Sequence, residues 1–207
     1  MRLLVTAFEP FGGECVNAAQ QASMWLPDTV GGFALTRLTV PTVFSACVPV
    51  VVDAVDTLEP DAVLCLGQAG GRTGLTVERV AINVDDALLA DNAGDRPVDR
   101  PIEPNGPAAV FSTLPIKAMT AAMREGGYTA SISNSAGTFV CNHLLYGLLR
   151  RLERREPRIP AGFVHVPGLP EQTAAHGGAG MSARETAAAL SLAIRALETN
   201  LRKGRSA

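Results

Sequence analysis

The sequence predicts an α/β fold: a three-layer sandwich with a largely parallel or mixed central sheet between helices. Three observations carry this. Short, unbroken apolar runs at residues 2–8, 61–66 and 162–166 have the length and character of strands buried on both faces. They alternate with stretches of helical length. Each run ends in turn chemistry: Pro10 with Gly12-Gly13, the glycine-rich residues 67–71, and Pro167.

The elements follow in order. Residues 2–8 form the first strand. Residues 17–26 form a helix that stops before Pro27, and 33–40 alternates as a strand. Residues 42–58 are apolar and helical in length despite Pro49, and 61–66 is the next buried strand. Residues 76–84 alternate as one strand. The Asp-, Asn-, Gly- and Pro-rich residues 85–107 read as a long ordered loop, of the kind that serves as a lid or binding segment. A helix over 114–125 stops at Gly126-Gly127, a strand covers 130–133, a helix covers 141–153 and a strand covers 162–166. The last helix is announced by a capping box, Ser182 with Glu185, and by Leu190, Ile194, Leu197 and Leu201 on one face. Lys203 and Arg202 lie at its C-terminal end, where the helix dipole favours cations. There is neither a repeat nor a linker, so residues 1–207 read as one domain.

Composition narrows the function. At 207 residues, 47% hydrophobic and 18% charged, the chain can bury a full core and is globular rather than disordered. The net charge is -2, and the only basic cluster is Arg150, Arg151, Arg154, Arg155 and Arg158, which reads as a solvated helix face rather than a nucleic-acid patch. No window has the length of a membrane span. The opening residues, Arg2 and then a short apolar run before Glu9, are too soon charged for a signal peptide, so the expectation is a cytoplasmic protein. Cys15, Cys47, Cys65 and Cys141 form no C-x-x-C pair, which argues against a zinc knuckle or redox motif. Cys47 and Cys65 lie in apolar runs and read as core filling, and Cys15 as a loop thiol.

Cys141 is different. It stands in Ser135-Ala-Gly-Thr-Phe-Val-Cys141-Asn-His143, where a glycine-containing loop enters a helix carrying Leu144, Leu145, Leu148 and Leu149. The helix dipole and unpaired N–H groups there favour a thiolate and can supply an oxyanion site. A thiol nucleophile needs a base, and the base needs an orienting group. Of the three histidines, His143 follows Cys141 by two positions and points to another face, while His176 sits in a flexible glycine-containing segment and reads as an exposed loop residue. That leaves His165, at the end of a strand between Val164 and Val166. The orienting carboxylate is one of Glu78, Asp85 or Asp86, and spacing does not choose among them. Glu78, sharing a strand face with Thr76 and Val80, needs a partner there, either a salt bridge near Arg79 or His165.

Four segments, in order, resemble the cysteine-type pyroglutamyl peptidases. They are Thr6-Ala-Phe-Glu-Pro-Phe-Gly-Gly13; Gly67-Gln-Ala-Gly-Gly71 with Val77-Glu-Arg-Val-Ala-Ile-Asn83; Ser133-Asn-Ser-Ala-Gly-Thr-Phe-Val-Cys-Asn-His143 with Tyr146-Gly-Leu-Leu149; and Phe163-Val-His-Val-Pro167 with Leu169-Pro-Glu-Gln172. The resemblance implies Cys141 as nucleophile, His165 as base then acid, and Glu78 as orienter. It implies removal of N-terminal pyroglutamate from peptides through a thioester, an α/β fold, no cofactor or metal, and a homo-oligomer, often a tetramer.

That substrate is a flat, uncharged lactam. Phe8 and Phe11, on either side of Pro10, are candidates to grip the ring, Gln68 is a candidate polar liner, and Val140 and Leu89 are further liners. A site that hydrogen-bonds the lactam rejects a prolyl analogue that lacks the ring carbonyl. The chain departs from the family pattern at Ala7, Ala18 and Gly168, and above all at Leu88, where the family commonly has an arginine after Asp-Asp-Ala close to its active site. Leucine cannot pair with a carboxylate, so the expectation is a weaker or altered peptidase rather than an inactive one. Readings from other classes are a non-catalytic pyroglutamyl-binding or small-amide-binding protein, a phosphorylase-like transferase with phosphate at residues 67–71, and a zinc hydrolase using Cys141, His143 and His165.

Overall fold

A computed structural model describes residues 1–174 and 180–205; His176 lies outside them. Its elements in chain order are β1 (Arg2–Phe8), α1 (Ala18–Trp25), β2 (Thr29–Val30), β3 (Phe33–Val40), α2 (Phe44–Leu58), β4 (Ala62–Gln68), β5 (Leu75–Glu78), β6 (Val80–Ile82), β7 (Ala109–Phe111), α3 (Ile116–Glu125), β8 (Ala130–Ser133), α4 (Val140–Glu153), β9 (Ala161–Val166), α5 (Pro170–Ala174) and α6 (Ala183–Arg205). Seven strands form one sheet in the order β2-β3-β1-β4-β9-β5-β8, and β6 pairs with β7 separately. β3, β1, β4 and β9 are mutually parallel; β5 runs against β9 and parallel to β8.

The central strands have no solvent-facing side. β9 and all but the first residue of β1 are buried throughout, which is why their sequences are apolar without alternation. One sheet face packs on α1, α3 and α6 through Ala22, Met119, Met123, Leu190, Ile194 and Leu197. The other packs on α2 and α4 through Phe44, Cys47, Val51, Leu144, Leu145 and Leu148. These layers are the expected sandwich. Cys47 and Cys65 are fully buried in the second cluster.

Local signals explain the helix boundaries. Asn17 caps α1, its side chain accepting from Ala19 N and Gln20 N. At α6, Ser182 Oγ accepts from Glu185 N at 3.2 Å while Glu185 Oε2 accepts from Ser182 N at 3.1 Å, a reciprocal capping box.

One sequence expectation needs correction. The strand expected over 76–84 is broken at Arg79: β5 belongs to the main sheet, whereas β6 leaves it to pair with β7. Glu78 therefore shares a face with Thr76 but not with Val80.

Residues 85–107 are an ordered loop. Asp85 N donates to Arg100 O and Arg100 N to Asp85 O, and buried Asp91 accepts from Phe44 N at the start of α2. Asn92 Nδ2 donates to Glu9 Oε1 and Pro10 O, tying the loop to the one after β1. In the basic cluster, Arg150, Arg151, Arg154 and Arg155 are paired with Glu103, Glu153 or Asp56. Among the described residues no helix is long and apolar enough to cross a membrane.

Candidate active site

The site is built by strand alternation. In the parallel β4–β9 ladder Gly67 pairs with His165, and in the antiparallel β5–β9 ladder Thr76 pairs with His165. Paired residues share a face, so Gly67, Phe163, His165, Thr76 and Glu78 all present to the layer containing α4. On that face His165 Nδ1 lies 2.8 Å from Glu78 Oε1. Both residues are buried. The bond leaves Nε2 as the ring nitrogen available to another partner.

Cys141 enters from above. Gly137, at φ +81°, turns the loop towards α4, and Phe139 is its N-cap with no side chain bonded to the first-turn N–H groups. A methyl group built on Gly67 would lie 2.9 Å from Cys141 Sγ and 2.7 Å from the Phe163 ring. Only a glycine at this point of β4 lets the sulfur settle on the sheet beside the strand that carries His165.

The electrostatics work against a resting thiolate. Burial pushes the Cys141 thiol up to about 12, with the Glu78 charge adding to it and Arg72 opposing it. From an ordinary 9.0 that rise is about 4 kcal/mol against the thiolate, whereas a helix N-terminus stabilises an anion by roughly 0.5–2 kcal/mol. Burial wins, and the sulfur rests as S–H. Burial likewise lowers His165, although the Glu78 hydrogen bond and charge work the other way. Burial acts to raise Glu78, but the hydrogen bond and charge of His165, then the hydrogen bonds of Ser133 and Arg72, outweigh it, so its carboxyl lies below the usual range. The resting set is a thiol, a neutral imidazole and a carboxylate.

The three candidate carboxylates have separate positions. Glu78 holds His165. Asp85 holds His143, whose Nδ1 lies 2.9 Å from Asp85 Oδ2. Asp86 is exposed and uses its backbone, with Asp86 N donating to Thr138 O. The arginine beside Glu78 is not near Arg79, which bonds Asn134 Oδ1. It is Arg72, which the sequence reading did not single out. Its only local signal is a lone cation after Gly70-Gly71, four and six positions before Thr76 and Glu78.

The candidate liners are spread more widely. Phe8 is buried under the site, 6.4 Å from Phe163 between ring centroids. Phe11 is half-buried and lies 6.0 Å from Phe139. Val140 is fully buried in the core. Leu89 is partly exposed beside Gly12. Gln68 presents to the opposite sheet face, where its Oε1 accepts from Ala18 N at 2.7 Å. Leu88 is 90% exposed. Among the described residues no group of three or more His, Cys, Asp or Glu is placed to hold a metal ion, so Cys141, His143 and His165 do not form one ligand set.

The pyroglutamyl peptidase family model matches residues 1–200. The chain belongs to the pyroglutamyl peptidase family. A pyrrolidone-carboxylate peptidase of Streptococcus pyogenes is 54% identical over 172 residues, covering 83% of this chain and 80% of that protein. One from Escherichia fergusonii is 52% identical over 198 residues, covering 95% and 89%. The crystal structure of pyroglutamyl peptidase I from Bacillus amyloliquefaciens matches with a TM-score of 0.91 at 40% identity, covering 96% of this chain and 97% of that one. The pyrrolidone carboxyl peptidase of Thermococcus litoralis matches with a TM-score of 0.92 at 32% identity, covering 98% and 96%. The chain is thus a cysteine ω-peptidase of this family, with peptides carrying N-terminal pyroglutamate as its substrate class. Family membership displaces the phosphorylase-like and zinc-hydrolase readings.

Proposed function

We propose that Cys141, His165 and Glu78 carry out the hydrolysis: Cys141 attacks the carbonyl after pyroglutamate, His165 takes the thiol proton and returns it to the leaving amine, and Glu78 fixes the imidazole. The observation that carries this is the Glu78–His165 hydrogen bond of 2.8 Å on the sheet face where Gly67 makes room for the Cys141 sulfur. The uncapped N–H groups of the first turn of α4 are donors for the oxyanion. The acyl group leaves Cys141 when water, deprotonated by His165, attacks the thioester; His165 passes that proton to the departing sulfur, which restores the thiol and the neutral imidazole. Phe8, Phe11 and Leu89 line the lactam side, backed by Val140; Gln68, whose side chain faces α1 across the sheet, can offer the lactam only its backbone groups.

The test is fluorophore release from a pyroglutamyl amide and from the matching prolyl amide. Release from the first only, stopped by thiol alkylation, is expected. Release from both, or release that survives alkylation of Cys141, overturns the reading.

A pH profile follows from the resting charges. Activity requires neutral His165, whose proton affinity lies below the ordinary 6.5. The expected kcat/KM rises with pH through a midpoint below 6.5 and then stays level to at least pH 9, because the thiol does not ionise until about 12. The unfolded chain takes up the His165 proton near 6.5, so fold stability also declines as pH falls below that value.

At Leu88, we propose that substitution has altered the lid rather than the chemistry. Leu88→Arg is expected to raise kcat/KM on pyroglutamyl amides several-fold with the pH midpoint unmoved. An unchanged kcat/KM makes the leucine neutral.

For assembly, we propose a homo-oligomer, a tetramer by resemblance. An apolar cavity of about 360 Å³ lined by Val110, Phe111, Leu149 and Pro160, with Phe111 65% exposed, supports a surface covered by a second copy. Light scattering that returns the mass of one chain rules this out. We place the enzyme in the cytoplasm, in keeping with four free cysteines; recovery only in a secreted fraction would contradict this.

A further inference from the structure

We infer that Arg72 is a positioning residue of this enzyme: a single guanidinium clamps Glu78 to the loop that delivers Cys141, so the triad works as part of a four-residue set. The inference rests on the Cys141–His165–Glu78 reading above.

The geometry has three parts. Arg72 Nη1 donates to Glu78 Oε1 at 2.5 Å, the oxygen that also faces His165 Nδ1. Nη1 also bonds Thr76 Oγ1. Nη2 donates to Ser135 O at 3.0 Å, in the loop that leads to Cys141. The side chain thus spans three segments: the turn after β4, strand β5 and the nucleophile loop. A planar fork with fixed N–H directions can hold two acceptors at a set separation, which a lysine ammonium does not do. Glu78 Oε2 is buried and, among the described residues, no donor completes a hydrogen bond to it, although the neighbouring Ser133 hydroxyl also helps to hold the carboxyl down. Oε1 is held by the guanidinium and the imidazole together. A buried carboxylate needs partners to stay ionised; His165 is the foremost of them here, and the guanidinium adds to it.

The titratable and charged groups around Arg72 are Glu78 from β5, His165 from β9 and Cys141 from α4, with Cys65 of β4 also acting on Cys141. Arg72 lowers the proton affinity of both His165 and Cys141. A purely structural arginine would alter stability and amount of active enzyme, but not the pH at which the remaining activity appears.

The experiment is the pH dependence of kcat and kcat/KM on a pyroglutamyl amide for wild type, Arg72→Met, Arg72→Lys and Glu78→Gln, with melting curves for each. Arg72→Met is expected to move the acid midpoint of kcat/KM up by about one pH unit, and to lower plateau kcat at least tenfold with KM changed less than threefold. Arg72→Lys keeps the charge but loses the fork, so it should restore the midpoint while plateau kcat stays reduced. An unmoved midpoint in folded Arg72→Met overturns the inference. If Arg72→Met does not fold, Arg72→Lys decides: reduced kcat at wild-type KM supports the clamp, and wild-type kcat overturns it. Glu78→Gln separates the two claims. If it leaves the profile unchanged, the triad reading fails; if it moves the profile and Arg72→Met does not, only the Arg72 assignment fails.

Discussion

Cys141→Ala is expected to leave a folded protein that still binds a pyroglutamyl peptide and turns over none of it. Cys141 is the thiol set over the sheet beside His165, whereas Cys65, in the neighbouring β4, is sealed in the core; loss of one triad member typically costs at least about 10⁴-fold in kcat. Binding should survive because the candidate lactam contacts come from the end of β1, the loop that follows it and the 85–107 loop, not from the sulfur. Stability should change little, within about 1 kcal/mol: the substitution removes one atom that lies over Gly67 and leaves no unpaired charge. Calorimetric titration with a pyroglutamyl peptide, beside the amide assay, checks both halves. Turnover above about 1% of wild type would mean another nucleophile. Full turnover with full binding would place Cys141 outside the chemistry, and binding by both proteins with turnover by neither would return the chain to the non-catalytic reading. The outcome separates enzyme from binder because a binder has no use for the proton transfer between sulfur and imidazole.

Much of this site was legible before the structure, for identifiable physical reasons. β1, β4 and β9 have no polar alternation because both faces are covered, and their ends fall where proline or glycine breaks the run. Cys141 was legible because a cysteine at a glycine-led helix start has few structural uses. The hidden parts depend on pairing rather than on local pattern. Residues 76–84 alternate smoothly, and nothing local says that the chain changes sheets at Arg79; the partners β8, β9 and β7 decide that. β2 is two residues long and β7 three, too short for a period to register. The direction of β5 relative to β9 fixes which of Glu78, Asp85 and Asp86 meets His165, so spacing alone left the three open. Gly67 read as the first residue of a phosphate-like glycine loop. Its actual role is to remain without a side chain under the sulfur. Arg72 was passed over because a lone arginine after two glycines reads as a turn residue until its three partners are assembled around it.

Glu78→Gln tests the electrostatic half of the site, and its expected signature differs from a simple loss of activity. Glutamine is nearly isosteric, and its carbonyl can take the place of Oε1, accepting from both His165 and Arg72. Its NH₂ group then occupies the position of Oε2, which already lacks a partner, so the orientation of the imidazole is largely kept. The charge is what goes. The imidazolium that forms when His165 takes the Cys141 proton loses its counter-ion while Arg72 remains nearby, so the transition state is destabilised and kcat should fall by about 10²–10⁴-fold. The Glu78 charge raises the proton affinity of His165 and Arg72 lowers it. Removing Glu78 should therefore move the acid midpoint of kcat/KM to lower pH, opposite in sign to Arg72→Met. Stability should fall as well. Breaking a fully buried pair costs about 3–5 kcal/mol, and the cost here should be smaller because Arg72 keeps 28% of its side chain exposed and water can solvate the freed cation. A fall in kcat with an unmoved or raised midpoint would mean that Glu78 acts only as packing for the imidazole ring. The two opposed shifts, measured on one substrate, assign the charge on each side of His165 to its source.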